Sequence, residues 1–465
     1  MLSGRAGAAG IQWLLFAPES RRALRRELAT LLDDRCALGP CRLRRAKFKP
    51  GRKLTAYYDV HLRDSRGMPA GSRPVAVIWT PGGASGREGS AADGARVHAE
   101  ALRRGLVAPF RSLEAEPQRP GPRILVSPLD ESFPQLVRLS DPSYVAEILE
   151  ARGVGCVVWP IRYRPGQRHV LRYEPCASQG AGKARTTFAK LYRGERGRLD
   201  FGIATAVAEW LESRRSGLGA VRPLTYVVSD RALLYPRVAG VPLSEHLRRG
   251  RGDAAQELLR AGSMLRALHL FPLTHIDGLE HHELASEQQA ILRASEHLEV
   301  LLPSAAARIR GIVDLADDAH AHLPQESPTF VHGDFKADHL WATSRGLTLI
   351  DIDSCRLGDP AIDLGKLLAD LWWWYALSGR PGAERAQRTF LDGYLQEAQP
   401  PGRIARARLY EALLLAKIAV RRVPLYDPEW EPWTEALIAR AERLGAEIRR
   451  EPHGSGRRRA VVPAL

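Results

Sequence analysis

The stretch FVHGDFKADHLW, residues 330–341, sets Asp334, Lys336, Asp338 and His339 in one tight loop between apolar flanks. Downstream, LTLIDIDSCRLGDPAIDLGKLL places Asp351 and Asp353 directly after an apolar run, Leu347 to Ile350, and brings Asp359-Pro360 and Asp363 to the start of a helix-like segment. Asp334 and Asp351 are 17 residues apart, each just after a strand-like run, so a hairpin-like return puts both carboxylates at one end. Hard cations such as Mg²⁺ take one or two carboxylates and fill their remaining positions with phosphate and water. A loop acid that orients a hydroxyl, beside a strand-end acid that holds a metal, is the division of labour phosphoryl transfer requires.

Positioning these groups falls to two different halves of the chain. After residue 250, apolar residues recur at helical spacing through AAQELLRAGSMLRALHLFP, ASEQQAILRASEHLEVLLP and SAAARIRGIVDLADDAHAHLP. The loop and one short strand interrupt this pattern, and helices resume from AIDLGKLLADLWWWYAL onward. Trp372, Trp373, Trp374 and Tyr375 read as core residues of that helix. Asp359 and Asp363 read as structural acids at a helix start, where a carboxylate accepts backbone N–H bonds. His281-His282 and His320-x-His322 have helix-like surroundings and no third ligand at suggestive spacing, so they read as solvated or satisfied. The final PHGSGRRRAVVPAL reads as a disordered basic tail.

The first half contains an internal repeat. RRAKFKPGRKLTAYYDVHL and PIRYRPGQRHVLRYE each give a strand, a Pro-Gly turn and a second strand. Residues 74–80, PVAVIWT, then match residues 187–193, TFAKLYR, as a third strand. A Gly-rich stretch, a helix-like segment and a last apolar strand follow in each, PRILVSPLDE and RALLYPRVAG, so two small antiparallel sheets with one helix apiece lie about 110 residues apart. Lys190 in the second unit stands where the first has Val77. An ammonium in an apolar strand must find a partner or solvent; valine keeps the strand and removes the charge chemistry.

The chain has 465 residues, 45% hydrophobic content and a formal net charge of +15, enough length for two or three domains with sizeable cores. The positive excess is scattered and arginine-rich, a pattern that composition alone produces; an anionic small substrate and nucleic acid are the other readings, and the last predicts salt-dependent duplex binding. Five cysteines without a C-x-x-C pair suggest neither a disulfide framework nor a zinc site. The apolar stretch near the N-terminus is too short to span a membrane and lacks a cleavage pattern. A soluble, cytoplasmic protein without a membrane partner is expected.

The run His332-Gly333-Asp334, then Asp351-Ile352-Asp353, then Gly358-Asp359-Pro360-Ala361-x-Asp363-Leu364 resembles the aminoglycoside phosphotransferase and choline kinase group, over roughly residues 155–430. The resemblance implies an α+β, bilobal protein-kinase-like fold, a small antiparallel-sheet lobe plus a helical lobe, here preceded by a degenerate copy of the small lobe. It implies ATP and Mg²⁺ as cofactors, Asp334 as the catalytic base, Asp351 as the principal metal ligand with Asp353, and Lys190 on the α and β phosphates. Glu209 would pair with Lys190, with Glu212 one turn away as the alternative, and Tyr235 and Arg237 in LLYPRVAG would form the hinge whose backbone receives adenine. Lys336 either neutralises the transferring phosphate or is a solvated loop lysine. The family pattern has Asn five residues after the catalytic Asp, where this chain has His339; imidazole suits softer metals, so His339 binds directly, binds through water, or leaves the metal to the two aspartates. The expected division is a helical segment at 1–36, a degenerate lobe at 37–150, a kinase-like N-lobe at 151–243, a helical C-lobe at 244–450 and the tail at 451–465. The expected function is ATP-dependent transfer to a hydroxyl of a small molecule; the alternative is a pseudokinase or nucleotide-sensing scaffold. A nucleic-acid partner is not expected.

Overall fold

The computed structural model describes residues 8–81, 91–115, 121–149, 155–176, 185–214, 216–250, 254–276, 278–396 and 400–450. The basic tail and most of the first unit's Gly-rich stretch lie outside the described residues. Helices α1 (Ala8–Phe16) and α2 (Pro18–Thr30) precede an antiparallel sheet of β1 (Cys36–Lys49), β2 (Lys53–Asp64), β3 (Pro69–Trp79), β4 (Glu114–Ala115) and β5 (Arg123–Val126), with helix α3 (Ala91–Arg103) after its third strand. The spatial order is β1-β2-β3-β5-β4. Short helices α4 (Gln135–Leu139) and α5 (Pro142–Ile148) lead to β6 (Cys156–Arg164), β7 (Arg168–Pro175), β8 (Thr187–Leu191), helix α6 (Arg196–Ser213), β9 (Leu218–Ala220), β10 (Thr225–Val227) and β11 (Ala232–Pro236). Leaving out β9, which joins another sheet, the second order is β6-β7-β8-β11-β10. Strand for strand the two sheets have the same order, with the helix inserted at the same point.

Local sequence explains both sheets. Leu54, Ala56, Tyr58, Val60 and Leu62 of β2 put one face on the core, and Thr55 and Tyr57 are buried on the other face near the turn. The edge strand β1 carries Pro40 and a run of cations, both suited to an unpaired edge. Measured from the two Pro-Gly turns, Lys190 pairs with Val170 as Ile78 pairs with Thr55, whereas Val77 pairs with Ala56 as Ala189 pairs with Leu171, so the expected match of Lys190 with Val77 is corrected by one residue, to Ile78. Side chains after the first sheet hold the second. Asp130 accepts from Gly166 N at 2.8 Å, at the β6–β7 turn, and from His169 Nε2 at 2.7 Å. Buried Asp230 accepts from Arg138 and from the Tyr144 hydroxyl, both at 2.6 Å.

The helical half contains β12 (Val241–Pro242), α7 (Leu243–Arg249), α8 (Ala255–His269), β13 (His281–His282), α9 (Leu284–Leu301), α10 (Pro303–His322), β14 (Thr329–Val331), β15 (Leu340–Thr343), β16 (Gly346–Leu349), β17 (Arg356–Gly358), α11 (Ala361–Leu377), α12 (Ala383–Tyr394), α13 (Arg403–Arg421) and α14 (Trp430–Arg450). Pro303 at the first position of α10 separates it from α9, because proline there forfeits only an N–H that has no helical partner anyway. Helix α11 crosses α13 closely: a Cβ on Gly365 would lie 2.7 Å from Ala407 O. The strands form two small sheets, β12-β15-β16-β9 and β13-β17-β14.

That pairing corrects the expected single strand and the expected return of β14 on β16. Strand β14 pairs with β17, while β16 pairs antiparallel with β15 and parallel with β9. His281 and His282 are likewise strand residues, and His282 Nε2 sits 3.5 Å from Glu287. Trp373 is core, as expected of the aromatic run. Among the described residues, no helix is long and apolar enough to cross a membrane. The architecture is α+β, with antiparallel-sheet and helical lobes.

Candidate active site

Helix α11 sets the loop after β14. Its buried Asp363 accepts from His332 N at 2.6 Å and from Gly333 N at 2.8 Å, and its buried Asp370 accepts from Ala337 N at 2.8 Å. Gly333 has φ +74°, and a Cβ there would meet Ser354 O at 2.5 Å, so the turn that aims Asp334 admits only glycine. Asp359 accepts from Ala361 N at 2.9 Å and from Arg406 Nε at 2.8 Å. Asp359 and Asp363 thus hold backbone, the role their helix-start positions suggested.

Asp334 emerges between two ammonium groups. Lys336 Nζ lies 2.6 Å from its Oδ2 and Lys366 Nζ, from α11, lies 3.2 Å from its Oδ1. Burial works to raise the carboxyl, but Lys366 and then Lys336 outweigh it and hold the group well below the usual carboxylate range. Asp334 is therefore ionised at any physiological pH.

Asp351 follows β16 in a left-handed conformation, φ 63° and ψ 53°. Such a backbone is uncommon outside glycine, and here the carboxylate beside it meets groups from both lobes. Lys190 Nζ from β8 lies 2.6 Å from Asp351 Oδ1 and 2.5 Å from Asp353 Oδ2. Arg168 Nη2, at the start of β7, lies 2.7 Å from Asp353 Oδ2 and 3.3 Å from Asp351 Oδ1. Burial raises both acids; for Asp351 Lys190 more than offsets it and the group sits well below its ordinary value, whereas Asp353, beside an already charged Asp351, is pushed up.

His339 bridges the two acids. Its Nδ1 is 3.0 Å from the Asp334 carbonyl, a contact in which the nitrogen must donate, so Nε2 carries the lone pair. Burial, then Lys336, pushes the imidazole down to about 3, so the ring is neutral. Nε2 nevertheless faces Asp351 Oδ2 at 3.3 Å, two acceptors turned toward each other. Asp334, His339 and Asp351 each offer one atom within 4.8 Å of the others. Buried Asp353 Oδ1 has no hydrogen-bond partner. Facing acceptors and an unpartnered carboxylate oxygen fit a divalent cation, with oxygen dominant in the donor set.

Glu209 is a correction. It is exposed and pairs with Arg222 at 2.8 Å, and Glu212 is exposed too. The cause is helix phase: Ile203, Val207 and Leu211 face the core, which turns 209 and 212 outward. The buried acid of α6 is Asp200, on the same face and 2.9 Å from Arg196, with its carboxyl raised by burial. Counting the apolar phase of α6 would have found it. Tyr235, next to the last residue of β11, lies opposite Phe188, its phenol pushed far up by burial and then by Asp353. Arg237 is exposed and its N donates to Thr186 O at 3.1 Å. Arg168 and Lys366 were missed; the first directly follows a Pro-Gly turn and the second lies one turn beyond Asp363.

Residues 179–400 match the family model described as "Phosphotransferase enzyme family". Among curated proteins, none matches the chain. Solved structures similar to it include a choline/ethanolamine kinase family protein from Mesorhizobium loti, 15% identical, covering 66% of this chain and 97% of that one at a TM-score of 0.44. Spectinomycin phosphotransferase APH(9)-Ia in complex with ADP and spectinomycin is 11% identical and covers 66% and 98% at 0.45. Choline kinase from Cryptosporidium parvum is 11% identical and covers 67% and 94% at 0.44. With the HGD loop, the DID turn and the sheet lysine assembled in one place, the chain resembles, through residues 179–400, the phosphotransferase enzyme family.

Proposed function

We propose that the chain transfers the γ-phosphoryl group of ATP to a hydroxyl of a small molecule. One observation carries this reading: Lys190 of the second sheet reaches Asp351 and Asp353 of the helical half at 2.6 and 2.5 Å, within one cluster that also contains Asp334. A phosphate-binding cation, two metal-binding carboxylates and an ionised hydroxyl acceptor are the parts phosphoryl transfer uses. Asp351 and Asp353, with His339, would hold Mg²⁺, which when bound neutralises charge on the phosphate oxygens.

Asp334, kept ionised by Lys366 and Lys336, accepts the hydrogen bond of the acceptor hydroxyl and fixes its line of attack. With so low a proton affinity it orients the hydroxyl first and takes its proton late, as the new P–O bond forms and the bond from the γ-phosphorus to the ADP oxygen breaks. Lys336 and Lys366, already within 3.2 Å of Asp334, are the cations nearest the developing phosphoryl charge. Lys190 and Arg168 address the other phosphates. The segment from Tyr235 to Arg237 is the position for adenine, and a cytoplasmic setting supplies the ATP.

The test is MgATP binding and turnover in wild type and Asp334→Ala. Binding kept in both, with transfer to a hydroxyl acceptor reduced by about 10²–10⁴-fold in the variant, supports the reading. Binding without transfer to any hydroxyl compound would favour a nucleotide-sensing scaffold.

A further inference from the structure

A cavity of about 1010 Å³ lies between β1, the β6–β7 hairpin and the helical half near α9 and the end of α13. Ten Lys and Arg side chains line it against two carboxylates, Asp59 and Glu296. Both carboxylates are already engaged, Asp59 by Arg44 at 3.1 Å and Glu296 by Arg52. Among the described residues, the side chains of Lys47, Lys49, Arg162 and Arg164 have no hydrogen-bond or ion-pair partner. Burial pushes Arg164 down to about 10, Arg45 and Arg162 adding to it, and burial with neighbouring cations lowers Lys47 and Arg162 as well. Lys47 is exposed, whereas Lys49, Arg162 and Arg164 are half-buried, and half-buried like charges without counter-charge oppose folding. Their convergence is explained by an anion that the folded chain receives.

The cavity abuts the reaction centre. Gln167 lines it, and the next residue, Arg168, holds Asp351 and Asp353. Arg162 feels the field of the same two acids. Arg422 lines it while pairing with Asp370, which braces the catalytic loop, and with Asp338 of that loop at 3.4 Å. None of the lining residues belongs to β11 or the segment after it, so the cavity is separate from the position assigned to adenine. Its volume is that of a pocket for one small ligand.

We infer that this cavity is the acceptor subsite, and that the acceptor is a small hydroxyl compound carrying at least two phosphate or carboxylate groups. This rests on the phosphotransferase reading and adds a substrate class to it. Charge complementarity sets the selection: a polycationic acceptor would be repelled, a neutral one would leave the cations unpaired. The first sheet thereby gains a function without nucleotide chemistry, since β1 contributes Arg44, Arg45, Lys47 and Lys49 to the wall.

The experiment titrates the full-length chain, without metal, with inorganic pyrophosphate and with citrate, in wild type, the double variant Lys47→Gln/Arg164→Gln, and Lys190→Ala. MgATP binding is measured on all three, and its retention in the double variant certifies the fold. Binding of both probes at least tenfold weaker in the double variant, within twofold of wild type in Lys190→Ala, and with MgATP affinity lost only in Lys190→Ala, is expected. Phosphoryl transfer to phosphorylated polyols should then fall in the double variant at unchanged KM for ATP. Equal probe binding in wild type and double variant would overturn the inference, as would probe binding lost only in Lys190→Ala, which would put the probes at the nucleotide site. Binding of a 20-bp DNA duplex that depends on Lys47 and Arg164, with no binding of either probe, would overturn the small-molecule assignment. Failure of the wild type to bind MgATP would overturn the phosphotransferase reading and the acceptor role with it, even with pyrophosphate still bound.

Discussion

The two sheets share a strand order and differ where the second has Lys190: counted from the turns, the first has Ile78 there, with Val77 beside it on the other face. Lys190 is tolerable because Asp351 and Asp353 come to it from the helical half. Val77 and Ile78 are buried, and the interior cation of the first sheet is Arg123 of β5, held by Glu114 and Glu131 at 2.7 and 2.9 Å. Four further cations, Arg44, Arg45, Lys47 and Lys49, stand on the edge strand β1, facing the cavity. One sheet thus meets its central charge with acids from the helical half, for a reaction; the other neutralises its central charge within itself and lines an edge with further cations, for recognition. A lysine in a strand is chemistry only where another part of the fold supplies its partner.

The comparison can be broken from either side. The largest effect is expected at Asp334, whose change to alanine should lower phosphoryl transfer by about 10²–10⁴-fold in a steady-state assay with the fold unchanged. Next, Val77→Lys should cost about 3–5 kcal/mol in denaturant unfolding, because an ammonium there is buried unpaired. The reciprocal Lys190→Val should keep the chain folded and lose MgATP affinity; similar outcomes for the two swaps would dissolve the distinction between the sheets. Asp363→Ala leaves two backbone N–H groups without their acceptor, at about 1–3 kcal/mol each, and should lower transfer at near-constant ATP affinity.

The smallest effect concerns pH. His297, facing the cavity from α9, is pushed down to about 4 by burial, Lys47 adding to it. Its folded value lies below its ordinary 6.5, so the unfolded chain binds the extra proton between those values. Its contribution is complete above pH 6.5 and is lost as pH falls toward 4. Unfolding midpoints of wild type should therefore fall more steeply over that window than those of His297→Gln.

Much of this was legible in the sequence because it is local. Alternation and Pro-Gly turns gave both hairpins, but aligning two short strands set Lys190 on Val77, one residue from its match Ile78. The HGD and DID runs announced a loop acid and a metal acid. What escaped was non-local or a matter of phase. Strand β14 has three residues, and nothing in so short a run says that its partner is β17 and not β16. Glu209 failed by helix phase. Arg168 meets its acids across more than 180 residues of chain, at |i−j| of 183 and 185. The basic cavity draws on β1, β6, α9 and the end of α13, so its charges read as scattered until the fold sums them.

The most direct measurement is MgATP titration by calorimetry on wild type and Asp351→Asn, each with and without Mg²⁺. Binding that requires the metal in wild type and is lost in the variant, with the unfolding midpoint unchanged, is expected. Equal metal-dependent affinity in both proteins would contradict the placement of the nucleotide and metal site at the Lys190, Asp351 and Asp353 cluster.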